Sequence, residues 1–83
     1  MKLVYFAWVR ERIGIDQEDI ALPAGIVTVK DLLHWLKGRD GGYAEALQAP
    51  EVIRVAINQE HVDHSEPIAG ASEIALFPPM PGG

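Results

Sequence analysis

Thr28-Val29-Lys30-Asp31-Leu32-Leu33-His34-Trp35-Leu36-Lys37-Gly38 is the stretch on which the fold turns. Val29, Leu32, Leu33 and Leu36 recur at helical spacing and make one apolar stripe, while Lys30, His34 and Lys37 fall on the polar side. Thr28 followed by Asp31 resembles a capping box with Asp in place of Glu. Gly38, or the Gly41-Gly42 pair, ends the helix, and Lys37 and Arg39 suit the negative end of its dipole. A helix with one apolar stripe needs a sheet to cover it, and strand-like segments lie on both sides.

Upstream, Leu3 to Val9 is β-branched and aromatic and reads as a first strand. Alternation puts Leu3, Tyr5 and Ala7 on one face and Lys2, Val4, Phe6 and Trp8 on the other. The charged Lys2 marks the second face as the outer one, so Phe6 and Trp8 are expected outside the core. Arg10 to Gly14 ends the strand in a tight loop or one helical turn, with Gly14 free to take a positive φ. Glu18 to Leu22 alternates before Pro23-Ala24-Gly25 and predicts a second strand paired back on the first through a loop. Downstream, Tyr43 to Gln48 suits a short helix stopped before Pro50. Val52 to Ile57 reads as a strand, Asn58-Gln59 as a turn, Glu60 to Val62 as a short continuation and Glu73 to Phe77 as a last strand. Pro78 and Pro79 lack the N–H that its ladder would need. The order predicts an α+β domain over residues 1–77: a mixed sheet of about five strands with one main helix packed across it.

With 83 residues the chain has room for one thin core, and twelve acidic against seven basic residues give a net charge of −5. That sign argues against nucleic acid as a partner. The absence of cysteine excludes disulfides, thiolate metal sites and a thiol nucleophile of its own, and fits a reducing, cytoplasmic setting. The apolar run Leu3–Val9 is far short of the about 20 residues of a membrane helix. Arg10-Glu11-Arg12 stands where a secretory signal would be cleaved, so neither a membrane partner nor a targeting segment is expected.

Residues 78–83, Pro78-Pro79-Met80-Pro81-Gly82-Gly83, hold three of the six prolines and two of the eight glycines. Prolines at this density favour an extended, semi-rigid spacer of up to about 20 Å. Gly82 and Gly83 can enter a slot too narrow for any Cβ. A carboxylate at Gly83 is ionised at pH 7 and a poor electrophile until an oxygen is made a leaving group. The chain has no Gly-rich phosphate loop and no paired carboxylates at metal spacing, so it is expected to bind no cofactor itself. ATP and magnesium would belong to an activating partner, and this chain would be carrier rather than catalyst. The dipeptide alone favours a frayed end; joined to Phe77-Pro78-Pro79 and a mixed two-layer domain, the functional reading prevails.

Three stretches carry a resemblance. Phe6-Ala7-Trp8-Val9-Arg10-Glu11-Arg12-Ile13-Gly14, Val55-Ala56-Ile57-Asn58-Gln59-Glu60 and Phe77-Pro78-Pro79-Met80-Pro81-Gly82-Gly83 resemble, in order and spacing, the MoaD-type family of ubiquitin-like sulfur carriers, the small subunits of molybdopterin synthase. The chain departs at Gly70-Ala71, where the family often has Gly-Asp, and at Pro81, where it often has a small residue. The resemblance implies a β-grasp fold. It implies adenylation of the Gly83 carboxyl by an E1-like adenylyltransferase, conversion to a thiocarboxylate by a sulfur donor enzyme, and insertion of the tail into the large synthase subunit, in a heterotetramer. There sulfur passes to a cyclic pyranopterin monophosphate to build a dithiolene. Gly83 would carry sulfur and Gly82 would allow threading; Phe6 and Phe77 match aromatic contacts with the large subunit, and Arg10 a partner or loop contact. Pro78, Pro79 and Pro81 complete the inserted segment. The same activated carboxyl would serve a ubiquitin-like modifier joined through Gly83 to lysines.

Glu60, His61, Asp63, His64 and Glu66 invite a metal reading, but residues three apart on extended chain face opposite sides, and a solvated polar loop explains them better. Trp35, beside the apolar stripe, is expected at the edge of the core.

Overall fold

The computed structural model describes residues 1–79. Helix α2, Val29–Lys37, carries the expected capping box: the Asp31 backbone N–H donates to Thr28 Oγ1 (3.2 Å) and the Thr28 N–H donates to Asp31 Oδ2 (3.1 Å). Asp31 also accepts from the Val27 N–H, and these backbone donors hold its carboxyl below the usual aspartate range. Val29, Leu32, Leu33 and Leu36 are fully buried, each side chain contributing about 1.5–3 kcal/mol of burial, and Gly38 caps the helix.

What they cover is a five-stranded sheet. Strands β1 (Lys2–Tyr5), β2 (Gln17–Asp19), β3 (Arg54–Ile57), β4 (Glu60–Val62) and β5 (Glu73–Phe77) stand in the order β2-β1-β5-β3-β4. The central pair β1 and β5 is parallel, with Tyr5 opposite Leu76; the other pairings are antiparallel. Leu3, Tyr5, Val55, Ile74 and Leu76 point under the helices and are buried. Alternation sends Val4, Ala75, Phe77, Arg54 and His61 to the face no helix covers; the Lys2–Glu73 ion pair (3.8 Å) lies on it.

The first strand is shorter than expected. It stops at Tyr5, and Ala7–Ile13 forms helix α1, so Ala7 to Val9 are helical rather than extended. The Phe6 N–H donates to Leu76 O (3.1 Å), almost the last rung β5 can offer before Pro78, and the chain turns there. As a helix, residues 7–13 bury Val9 and pack Ile13 on the core one turn later; Trp8, expected outside, is half-buried against the core because the helical turn carries it off the outer face of the strand, with Arg12 4.4 Å over its ring. Gly14, at φ 99°, ends α1. The first two strands pair as expected but are joined through this helix, and β2 covers Gln17–Asp19 rather than reaching Leu22. Val52 belongs to a 3₁₀ turn, Pro50–Val52, and β3 begins two residues later. The short helix α3 is Tyr43–Ala46. Trp35 packs at the core edge, as expected.

Candidate functional site

Strand β5 is central in the sheet, and its end delivers the chain to Phe77, Pro78 and Pro79. Met80, Pro81, Gly82 and Gly83 lie outside the described residues. Phe77, half-buried, emerges on the uncovered face because Leu76 before it is buried on the other. Phe6 stands one residue past the Tyr5–Leu76 rung on the neighbouring strand. Its backbone is extended, so its side chain points away from that of Tyr5, and it is 46% exposed. Both expected aromatics therefore sit on the last rung from which the tail leaves. Arg10 is exposed in the last turn of α1, its N–H donating to Phe6 O (3.2 Å).

A third ring joins them. His61 on β4 meets Phe77 edge to face, 5.1 Å between centroids, and Arg54 is the register partner of Phe77 on β3. The sequence read Glu60 to Val62 as a short strand after the Asn58-Gln59 turn, as found, but explained His61 itself as part of a solvated polar loop. The signal that could have found it is the two-residue turn Asn58-Gln59, both at positive φ, which fixes the β3–β4 register and pairs His61 with Ala56. His64 turns inward, its Nε2 2.7 Å from Ile53 O, and among the described residues no group of three or more His, Asp and Glu is arranged to hold a metal. An open groove of about 880 Å³ borders Pro79, Arg54, His61, Asp63 and His64.

Beneath the aromatics is a polar buttress that the sequence did not reveal. The Tyr5 and Tyr43 hydroxyls each donate to Glu18 Oε2 at 2.6 Å, and Arg39 Nη1 reaches Glu18 Oε1 at 3.4 Å. Arg39 also lies 4.7 Å over the Tyr43 ring and 5.3 Å over that of Trp35. Burial pushes the Glu18 carboxyl up, but the hydrogen bonds from Tyr43 and Tyr5 and the Arg39 charge outweigh it and hold it below the usual glutamate range. Burial, and then the Glu18 carboxylate, push both tyrosine hydroxyls up. The result pins Tyr5, the residue before Phe6, to β2 and α3.

The described residues thus offer an aromatic platform at the root of a tail and no assembled catalytic constellation. Residues 3–83 match the ThiS family. The chain belongs to the ThiS family. It is 34% identical over 83 residues to the molybdopterin synthase sulfur carrier subunit of Escherichia coli (strain K12), covering 100% of this chain and 99% of that one. It is 37% identical to the protein of the same name from Dictyostelium discoideum, over 99% and 94% of the two chains. The crystal structure of small archaeal modifier protein 1 from Haloferax volcanii matches with a TM-score of 0.70 over 95% of each chain, at 28% identity. These matches bear out the ubiquitin-like β-grasp reading of the mixed sheet. Among the described residues no helix is long and apolar enough to cross a membrane.

Proposed function

We propose that this ThiS-family protein is the sulfur carrier subunit of a molybdopterin synthase, with residues 78–83 as its working tail. The observation that carries this reading is the placement of Phe6 and Phe77 on the rung from which the tail departs. A partner that grips the two rings receives the tail in a defined direction. The names of the relatives support the same reading.

The chemistry follows from the terminal acyl group. An oxygen of the Gly83 carboxylate attacks the α-phosphorus of ATP on an E1-like adenylyltransferase, which supplies the magnesium, and pyrophosphate leaves. A persulfide sulfur of the donor enzyme displaces AMP at the acyl carbon. A donor thiol then cleaves the sulfur–sulfur bond, leaving a thiocarboxylate on Gly83 and a disulfide on the donor. Pro78, Pro79 and Pro81 belong to the inserted segment, Gly82 lets it pass a narrow slot, and Phe6, Phe77 and Arg10 contact the large subunit in a heterotetramer. Inside that subunit the sulfur is a positioned nucleophile toward the cyclic pyranopterin monophosphate, and water at the acyl carbon regenerates the carboxylate.

Reconstitution tests this: the thiocarboxylated chain plus a large subunit should convert the cyclic precursor to the dithiolene product. No conversion by the thiocarboxylated chain overturns the reading. A second reading, a modifier joined through Gly83 to lysines, is favoured by the likeness to small archaeal modifier protein 1. Lysine adducts in place of sulfur transfer would select it.

A further inference from the structure

We infer that a cleft between α2 and the Pro50–Val52 turn is a docking point for an acidic segment of a partner protein. Lys30, His34 and Lys37 share one face of α2 and line this cleft of about 430 Å³, with Leu33 and Pro50 as its apolar part. Lys37 is half-buried, and its ammonium donates to Gln48 O (3.3 Å), which holds the charge over the cleft. His64 closes the opposite wall; a carbonyl only accepts, so the Nε2 facing Ile53 O carries a proton. Glu51 is the one carboxylate among the lining residues.

The charge pattern names the occupant. In a chain of net charge −5, this cleft gathers two of the three lysines and two of the three histidines. The third lysine is paired with Glu73, and Arg39 with Glu18. Lys30 and Lys37 lie about 10 Å apart along the helix, at roughly 1.5 Å per residue. One phosphate does not bridge that span, whereas carboxylates spaced along an extended segment do. Glu51 and His64 also border the groove that reaches Pro79, so a partner seated at the tail root has an unbroken path to the cleft. Charge complementarity of this kind sets encounter rate and specificity.

The test is an amide NMR titration of the full chain with acetylated hexaglutamate, with inorganic phosphate in a parallel arm. Saturable shifts confined to the α2 polar face and His64 are expected, weakened about tenfold or more near 1 M salt and abolished in K30E/K37E. If that pair misfolds, the single variants K30Q and K37Q should each weaken binding. Three results overturn the inference: no saturable shift; equal shifts at Arg10, Arg12 and Arg54; or phosphate saturating the same residues without being displaced by the peptide.

Discussion

His61 stands edge-on to Phe77 with 72° between the ring planes, which joins β4 to β5 across β3 on the uncovered face of the sheet. Such a pair contributes about 0.5–1.5 kcal/mol beyond the area it buries. It also fixes the orientation of Phe77, so the ring is presented rather than free to turn.

Phe77→Ala should therefore weaken large-subunit binding by about 1–3 kcal/mol, with a similar loss for Phe6→Ala. His61→Ala should cost less, about 0.5–1.5 kcal/mol, because it removes only the brace. Titration calorimetry checks this; unchanged affinity for Phe77→Ala rejects the platform.

Deleting Gly83, or adding one residue after it, should abolish sulfur transfer and leave the unfolding midpoint where it was. Among the described residues the core runs from Leu3 to Leu76, and chain ends are where truncation and extension are best tolerated. Thermal unfolding and a transfer assay run side by side would show either result, and an extended variant that still transfers sulfur contradicts the role of the terminus.

Glu18→Gln should cost about 1.5–3 kcal/mol, the range for hydrogen bonds to a charged group. The folded carboxyl is held below its unfolded value, so its contribution is full above about pH 4.3 and is lost as pH falls through the folded value. Urea unfolding at a series of pH values should show the variant losing less stability on acidification than the parent protein; parallel curves would contradict the buttress.

Gly42→Ala should be among the worst small substitutions. A Cβ there meets the Arg12 carbonyl where α3 abuts the end of α1, and backbone cannot move aside as a side-chain tip can. About 1–3 kcal/mol or more is expected. At Gly14 a Cβ finds open space but φ is 99°, so Gly14→Ala should cost less, about 1–2 kcal/mol of backbone strain. Equal midpoints for the two variants would remove the steric argument.

Helix α2 was readable because stripe, cap and terminator all agreed, and β5 because Pro78 ends what alternation begins. The stretch Ala7–Val9 misled because its composition suits a strand, and only the end of β5 as a partner turns it into helix. Phe6 could be placed outside the core from alternation, which misplaced Trp8, whereas Phe77 entered only through the resemblance. The contact of His61 was not found, since Glu60 to Val62 was read as a short strand without a register and the contact depends on the β3–β4 pairing. Glu18 was hidden for another reason: period two sets it on the face of Ile20 and Leu22, but the two tyrosine donors that satisfy it come from residues 13 and 25 positions away.

The central claim is that Gly83 carries sulfur. Incubating the chain with ATP, magnesium, an E1-like adenylyltransferase and a sulfur donor, then weighing the intact protein, tests it directly. The expected result is a mass gain equal to one oxygen replaced by sulfur, located at Gly83 and lost in the Gly83 deletion. An unchanged mass after adenylation is shown to occur, or sulfur found on any other residue, contradicts it.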